Sequence, residues 1–127
     1  MSARRPTETT ILVVDGDAMM RTLVGRTLRN EGFQVWTASG APEARQVLGR
    51  LPGALDLVLT DVAMPGGVGS RLAAEIRQAH PTVRLLYLSS YSRKDLLSHG
   101  IDLGKQDLLA KPFMPAELVA RVQASLS

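Results

Sequence analysis

The run Leu55-Asp56-Leu57-Val58-Leu59-Thr60-Asp61-Val62-Ala63-Met64-Pro65-Gly66-Gly67 decides how this chain is read. A strand-like apolar stretch ends on a carboxylate, Asp61, and Met64, Pro65 and two glycines then turn the chain. A strand covered on both faces has no reason to end on a charge unless that charge reaches solvent or a ligand beyond the sheet. Two further runs end alike: Ile11–Val14 meets Asp15-Gly16-Asp17, and Leu85–Leu88 meets Ser89-Ser90. A fourth, Leu108–Ala110, meets Lys111-Pro112. Carboxylates, hydroxyls and one amine at four strand ends are the side chains of a metal-assisted phosphate site.

Outward from those ends, apolar runs alternate with segments of helical period. Ile11–Val14 is the first strand, and the helix after it carries the stripe Met20, Leu23, Val24, Thr27 and Leu28, stopped at Glu31-Gly32. Gln34–Ala38 reads as a more polar strand near an edge. A second helix begins at Ser39 or Gly40, with Pro42 in its first turn and Ala44, Val47, Leu48 and Leu51 inward. Asp56–Thr60 is the third strand, and Leu72, Ala73, Ile76 and Ala79 mark a third helix that ends before Pro81. Val83–Leu88 is the fourth strand, and a short helix and a loop fill 92–104. Leu108–Ala110 is the fifth strand, and Pro115–Leu126 a closing helix with Leu118, Val119, Val122 and Leu126 inward.

This alternation predicts an α/β fold: a doubly wound five-stranded parallel sheet with helices on both faces, in the flavodoxin-like order 2-1-3-4-5. Residues 1–9 are expected as a flexible tail and 10–127 as one domain. Ligands of such sheets bind beyond the carboxyl ends of the strands, where the polar residues above fall.

Composition narrows the function classes. At 127 residues and 45% hydrophobic, the chain is ordinary globular material with room for one core. No apolar run approaches the ~18 residues of a spanning helix, and the N-terminus has no signal-like apolar segment. The lack of cysteine excludes disulfides and thiolate metal sites and fits a cytoplasmic location. A net charge of +3 raises nucleic acid as a partner, but most of the 15 cations are arginines scattered over the helical segments. The few aromatics form no stacking platform. We therefore expect neither nucleic acid nor membrane as a partner.

Asp15, Asp17 and Asp61 bring like charges together. At 4 Å and an effective dielectric near 20, each pair repels by roughly 4 kcal/mol, so such a cluster calls for a cation. Oxygen donors in an open geometry favour Mg²⁺, which keeps several waters. One carboxylate then attacks a phosphoryl group while the metal and a lysine neutralise its oxygens.

The ordered set resembles the receiver domain of two-component response regulators over about Ile11 to Leu126. That family carries an acidic pair after the first strand, a phospho-accepting Asp ending the third, Ser or Thr ending the fourth and Lys-Pro after the fifth. Asp15 with Gly16, Asp61, Ser89 and Lys111-Pro112 stand at those places. The wording Leu59-Thr60-Asp61-Val62-Ala63-Met64-Pro65-Gly66-Gly67 and Leu88-Ser89-Ser90-Tyr91 is most similar to receivers of hybrid sensor histidine kinases.

The resemblance implies a phosphorelay protein. Asp61 would accept phosphate from a phosphohistidine of a sensor histidine kinase or phosphotransfer protein, changing affinity for a downstream protein target. The chain would be no enzyme beyond its own phosphorylation and dephosphorylation. The resemblance also implies Mg²⁺ held by Asp15, Asp61 and the backbone carbonyl of Ala63, with Ser89 and Lys111 on the phosphoryl oxygens and a cis Lys111–Pro112 peptide. Two positions depart from the family pattern. Gly16 replaces the second acid, which implies weak metal binding. Leu108 stands where many members carry the Tyr or Phe whose ring follows the Ser or Thr.

The sequence also admits two competing readings. Val13-Val14-Asp15-Gly16-Asp17 matches the strand-Asp-x-Asp signature of haloacid-dehalogenase-like phosphatases, with Asp15 as nucleophile. Against it, only Glu117 follows Lys111, where that family needs an acidic pair, and Asp61 goes unexplained. Gly16 also opens the reading of a receiver-like module that binds partners without phosphorylation. Elsewhere, Asp17 reads as a helix N-cap and Ser90 as capping or packing. His80 and His99 read as solvent-side loop residues, Trp36 as strand packing, and Met19, Met20, Met64 and Met114 as core fillers.

Overall fold

The structure, a computed structural model, describes residues 6–64 and 67–127, without the side chains of 6, 63, 64, 67 and 68. Thr10–Val14 (β1), Ala18–Asn30 (α1), Gln34–Ala38 (β2), Ala41–Leu48 (α2) and Leu57–Asp61 (β3) alternate as the periodicity predicts. Two short strands, Ala63–Met64 (β4) and Gly67–Val68 (β5), then pair antiparallel. Gly69–Ala79 (α3), Arg84–Ser89 (β6), Arg93–Ser98 (α4), Asp107–Ala110 (β7) and Pro115–Leu126 (α5) complete the domain. The main sheet runs β2-β1-β3-β6-β7 with every pair parallel. With the β4–β5 pair set aside, that is the expected order 2-1-3-4-5. The short pair was not foreseen, because two residues carry no period to read.

Strand alternation sends side chains to two cores. Ile11, Val13, Leu57 and Leu59 pack with Val24 and Leu28 of α1 and Leu118 and Val122 of α5. Leu12, Val14, Val58 and Leu85 face the other way, onto Ala44 of α2, Leu72 of α3 and Leu96 of α4. Helices on both faces explain why β1 and β3 are apolar at nearly every position. Helix ends follow local chemistry. Asp17 caps α1 by accepting from the amides of Met19 and Met20, and Gly32 takes φ 96°, a left-handed conformation suited to glycine after a helix.

Several expected packing positions shift. Leu23 is 42% exposed, and Gly25 is buried in its place. A Cβ at Gly25 would stand only 3.5 Å from Thr37 Cγ2, so α1 lies close on β2 and turns its stripe toward Val24, Gly25 and Leu28. Ala79 faces solvent in the last turn of α3. Met19, 83% exposed, and Met114 are surface residues, whereas Met20 packs partly against the α1–α5 core. Trp36 packs on its strand face as expected. His80 does more than face solvent: its Nδ1 accepts from the Leu55 amide at 3.3 Å and ties down the segment before β3.

Within the stretch expected as a tail, residues 6–9 are held. Pro6–Glu8 form a 3-10 turn, Gln34 Nε2 donates to the Thr7 carbonyl at 2.6 Å, and Thr9 is buried. Residues 1–5, the turn residues Pro65 and Gly66, and the side chain of Met64 lie outside the described residues.

Candidate functional site

The four predicted strand ends meet at the carboxyl edge of the sheet. Asp15 follows β1, Asp61 ends the central strand β3, Ser89 ends β6 and Lys111 follows β7, whose backbone amide donates to the Ser89 carbonyl at 2.8 Å. Lys111 Nζ donates to Asp15 Oδ2 at 2.7 Å and to Asp61 Oδ2 at 3.2 Å. The Asp15 side chain is 1% exposed, that of Lys111 12% and that of Asp61 22%. Of the two carboxylates, Asp61 is therefore the one a reagent from solvent can reach. Asp15 Oδ1 is occupied as well, accepting from the Asp17 amide at 2.9 Å.

Burial on its own would lower the pKa of Lys111. The hydrogen bond to Asp15 and the charges of Asp61 and Asp15 outweigh it, so the net displacement is upward from 10.5. Lys111 is thus an ammonium through the neutral range. Its contribution to stability is complete below the ordinary lysine range and is lost only as pH rises through the raised value.

Ser89 is fully buried, and its Oγ accepts from the Tyr91 amide at 2.9 Å. Accepting that bond leaves the hydroxyl proton available to a phosphoryl oxygen. The Lys111–Pro112 peptide is cis, as the resemblance implies. Ala63 opens β4, two residues beyond Asp61. The site thus gathers Asp15, Asp61 and Lys111 into direct contact and places Ser89 at the adjoining strand end.

One ammonium against two carboxylates leaves a net negative charge, and the oxygens are hard donors. That chemistry fits Mg²⁺, which needs only one or two carboxylates and fills its remaining positions with water. Among the described residues no group of three or more His, Cys, Asp or Glu is placed to hold a metal. Asp17 is not brought into a group with them and caps α1 instead, its Oδ1 accepting at 2.9 and 3.3 Å.

Two residues that shape the site carry no motif. Arg21 Nη1 donates to the Asp15 carbonyl at 2.7 Å, clamping the acidic turn from the first turn of α1. Gly69 opens α3, and its amide donates to the Val62 carbonyl at 2.6 Å. A Cβ at Gly69 would stand 2.3 Å from the Asp61 carbonyl oxygen and 3.2 Å from Thr60 Oγ1. In sequence this glycine is one of a turn-like cluster, and nothing marks it as the one that touches Asp61. Leu108 sits opposite Tyr87 in the β6–β7 register and is held through its carbonyl by Arg121 Nη2 at 3.1 Å.

A doubly wound sheet in this order, with a carboxylate pair bridged by lysine at its carboxyl edge, defines the receiver class of α/β proteins. The response regulator receiver domain family matches residues 11–123, and the chain belongs to that family. It is 39% identical over 116 residues to the transcriptional regulatory protein CpxR of Klebsiella pneumoniae, covering 91% of this chain and 48% of that one. The chain spans about half the length of the curated relatives it matches.

Among solved structures, the chemotaxis protein CheY4 of Vibrio cholerae superposes with a TM-score of 0.80 at 27% identity, over 93% of this chain and 98% of that one. The receiver domain of the hybrid histidine kinase CckA gives 0.77 at 28% identity, over 93% and 99%. The response regulator TrrA of Thermotoga maritima, in complex with Mg²⁺ and BeF, gives 0.73 at 34% identity, over 93% and 99%. The resemblance read from the motifs therefore holds, hybrid-kinase receivers included.

Proposed function

We propose that this receiver accepts a phosphoryl group on Asp61 from the phosphohistidine of a sensor histidine kinase or phosphotransfer protein. One observation carries the reading: Asp61, the more accessible carboxylate, shares the Lys111 ammonium with buried Asp15. Asp61 Oδ forms the new bond to phosphorus as the phosphorus–nitrogen bond of the donor breaks. Lys111 and the Ser89 hydroxyl take the phosphoryl oxygens, and Arg21 keeps the acidic turn in place. Asp15, Asp61 and the Ala63 carbonyl would hold Mg²⁺, which when bound supplies positive charge to the transferred group.

Asp15 makes a poor nucleophile, being buried with both oxygens accepting hydrogen bonds, so a phosphatase built on it is disfavoured. The chain is read as no enzyme beyond its own phosphorylation and dephosphorylation. Its output is a changed affinity for a downstream protein. A cytoplasmic location fits the lack of cysteine, and no helix among the described residues is long and apolar enough to cross a membrane. The reading without nucleic acid concerns this domain alone, since the relatives named as transcriptional regulators are about twice its length.

Amide NMR with Mg²⁺ and beryllofluoride tests the proposal. Shifts concentrated around Asp61 and Ser89 are expected. A spectrum that does not change would favour the phosphorylation-independent module, the reading that Gly16 motivates.

Metal affinity should be low. With Gly16 in place of an acid, water fills a coordination position at a loss of ~1–3 kcal/mol, roughly five- to over a hundredfold in affinity. We expect Gly16→Asp to tighten Mg²⁺ by at least several-fold in a Trp36 fluorescence titration. Equal affinities in the two proteins would mean that another group already supplies the missing ligand.

The response to phosphorylation should also be local. When Ser89 turns toward the phosphate it releases the Tyr91 amide, but Leu108 offers no ring to swing after it. Hydrogen exchange with and without beryllofluoride should change mainly over 89–104. Broad changes reaching α5, with Leu108→Tyr behaving the same, would contradict this.

A further inference from the structure

A second polar concavity lies on α1 and β2. Arg21, Thr22, Arg26 and Arg29 of α1 and Thr37 of β2 line a cavity of about 180 Å³, and no carboxylate lines it. Two of the arginines are fixed by main-chain carbonyls: Arg21 through Nη1 on Asp15 O at 2.7 Å, and Arg29 through Nη2 on Val35 O at 3.0 Å. Each of those bonds uses one of five N–H donors, so most of each fork stays uncommitted. Arg26 and the hydroxyls of Thr22 and Thr37 make no hydrogen bond among the described residues. Gly25 keeps the floor between them low, since a Cβ there would stand 3.5 Å from both Arg29 Nη1 and Thr37 Cγ2.

Three guanidinium groups around one small space repel each other, and that repulsion is relieved by an anion among them. Planar forks held in place match the oxygens of phosphate pairwise, and two idle hydroxyls add donors of the same kind. We propose that this cavity binds a small phosphate-type oxyanion. Its volume is below the roughly 300–1,000 Å³ of a site for a drug-sized ligand, which suits a group the size of phosphate or pyrophosphate. Arg21 belongs both to this cavity and to the clamp on Asp15. Occupancy that draws Arg21 toward the anion would loosen the acidic turn, so the two sites communicate through one side chain.

The test is an amide NMR titration of the full chain with pyrophosphate, without Mg²⁺, at ionic strength held constant with sodium chloride. Saturable shifts are expected over 21–29 and at Thr37, with smaller ones at Asp15 to Asp17. Arg26→Gln should weaken binding at least tenfold. Arg50→Gln, which removes the same charge from an exposed site outside the cavity, should change it less than twofold. Tighter binding of pyrophosphate than of O-phosphoserine would assign the cavity to free phosphates, and the reverse to phosphomonoesters; both support the proposal. Shifts that do not saturate, or an equal loss in Arg50→Gln, would overturn it, leaving only a counter-ion to net charge. Shifts centred on Asp61 and Ser89 would overturn it too. Tighter, Arg26-dependent binding of a polyglutamate peptide would replace the oxyanion with an acidic protein partner.

Discussion

Replacing Lys111 by methionine should cost about 3 kcal/mol of folding stability at neutral pH, the low end for orphaning a buried charge. For a chain of this size that is a fall of roughly 9–15 °C in Tm. The reason is specific: Asp15, 1% exposed, loses the partner at 2.7 Å on Oδ2, and the Asp61 carboxylate loses its shared cation. Methionine keeps the volume of the lysine stem, so the loss is electrostatic. Because the pKa of Lys111 is raised, the wild-type advantage is complete below the ordinary lysine range. It vanishes as pH rises through the raised value. Adding Asp15→Asn to the methionine variant should recover much of the stability, since the buried charge goes with its partner. Thermal melts from neutral pH to above the ordinary lysine range check this. A melting temperature in the single variant equal to wild type at pH 7 would mean that the ion pair carries no stability. The same variant should lose the beryllofluoride-dependent shift, because no other amine stands at the four strand ends.

Gly69→Val should be nearly as damaging, by overpacking against backbone rather than by charge. A first side-chain carbon at 69 meets the Asp61 carbonyl oxygen at 2.3 Å, and the neighbour is main chain of the central strand, which cannot rotate away. Overpacking of this kind costs about 1–3 kcal/mol, and a branched side chain should reach the upper end. The functional effect should exceed the stability effect. Moving the Asp61 main chain by even part of an ångström shifts its carboxylate relative to Lys111, and group transfer is sensitive to such misplacement. We expect Gly69→Ala to fold and to be phosphorylated by a small-molecule donor at least tenfold more slowly than wild type. Wild-type stability and rate in Gly69→Val would show that α3 can retreat and that Asp61 is positioned independently of it.

Most of the fold was legible because the sheet is covered on both faces. Buried strands such as 11–14 and 85–88 read as apolar runs, and the helices between them read as stripes, so element order followed and the sheet order with it. The expectations that failed depend on rotation and approach, which period alone does not carry. Leu23 lost its buried place to Gly25 because close packing of α1 on β2 favours a residue without a side chain. Met19 and Met114 are surface residues although their apolar character suggested core. The site divides in the same way. Asp15, Asp61, Ser89 and Lys111 could be read because a polar residue ending an apolar strand needs a reason. Arg21 and Gly69 could not, since an arginine on a solvated helix and a glycine in a glycine-rich turn look like their many neutral counterparts until distances to Asp15 and Asp61 are known.

The central claim is that Asp61 is the single phosphoacceptor. Intact-mass measurement after incubation with a small-molecule phosphodonor and Mg²⁺, on wild type and Asp61→Asn in parallel, tests it most directly. One hydroxylamine-labile phosphoryl group is expected on wild type and none on Asp61→Asn. Stoichiometric uptake by the asparagine variant would contradict it.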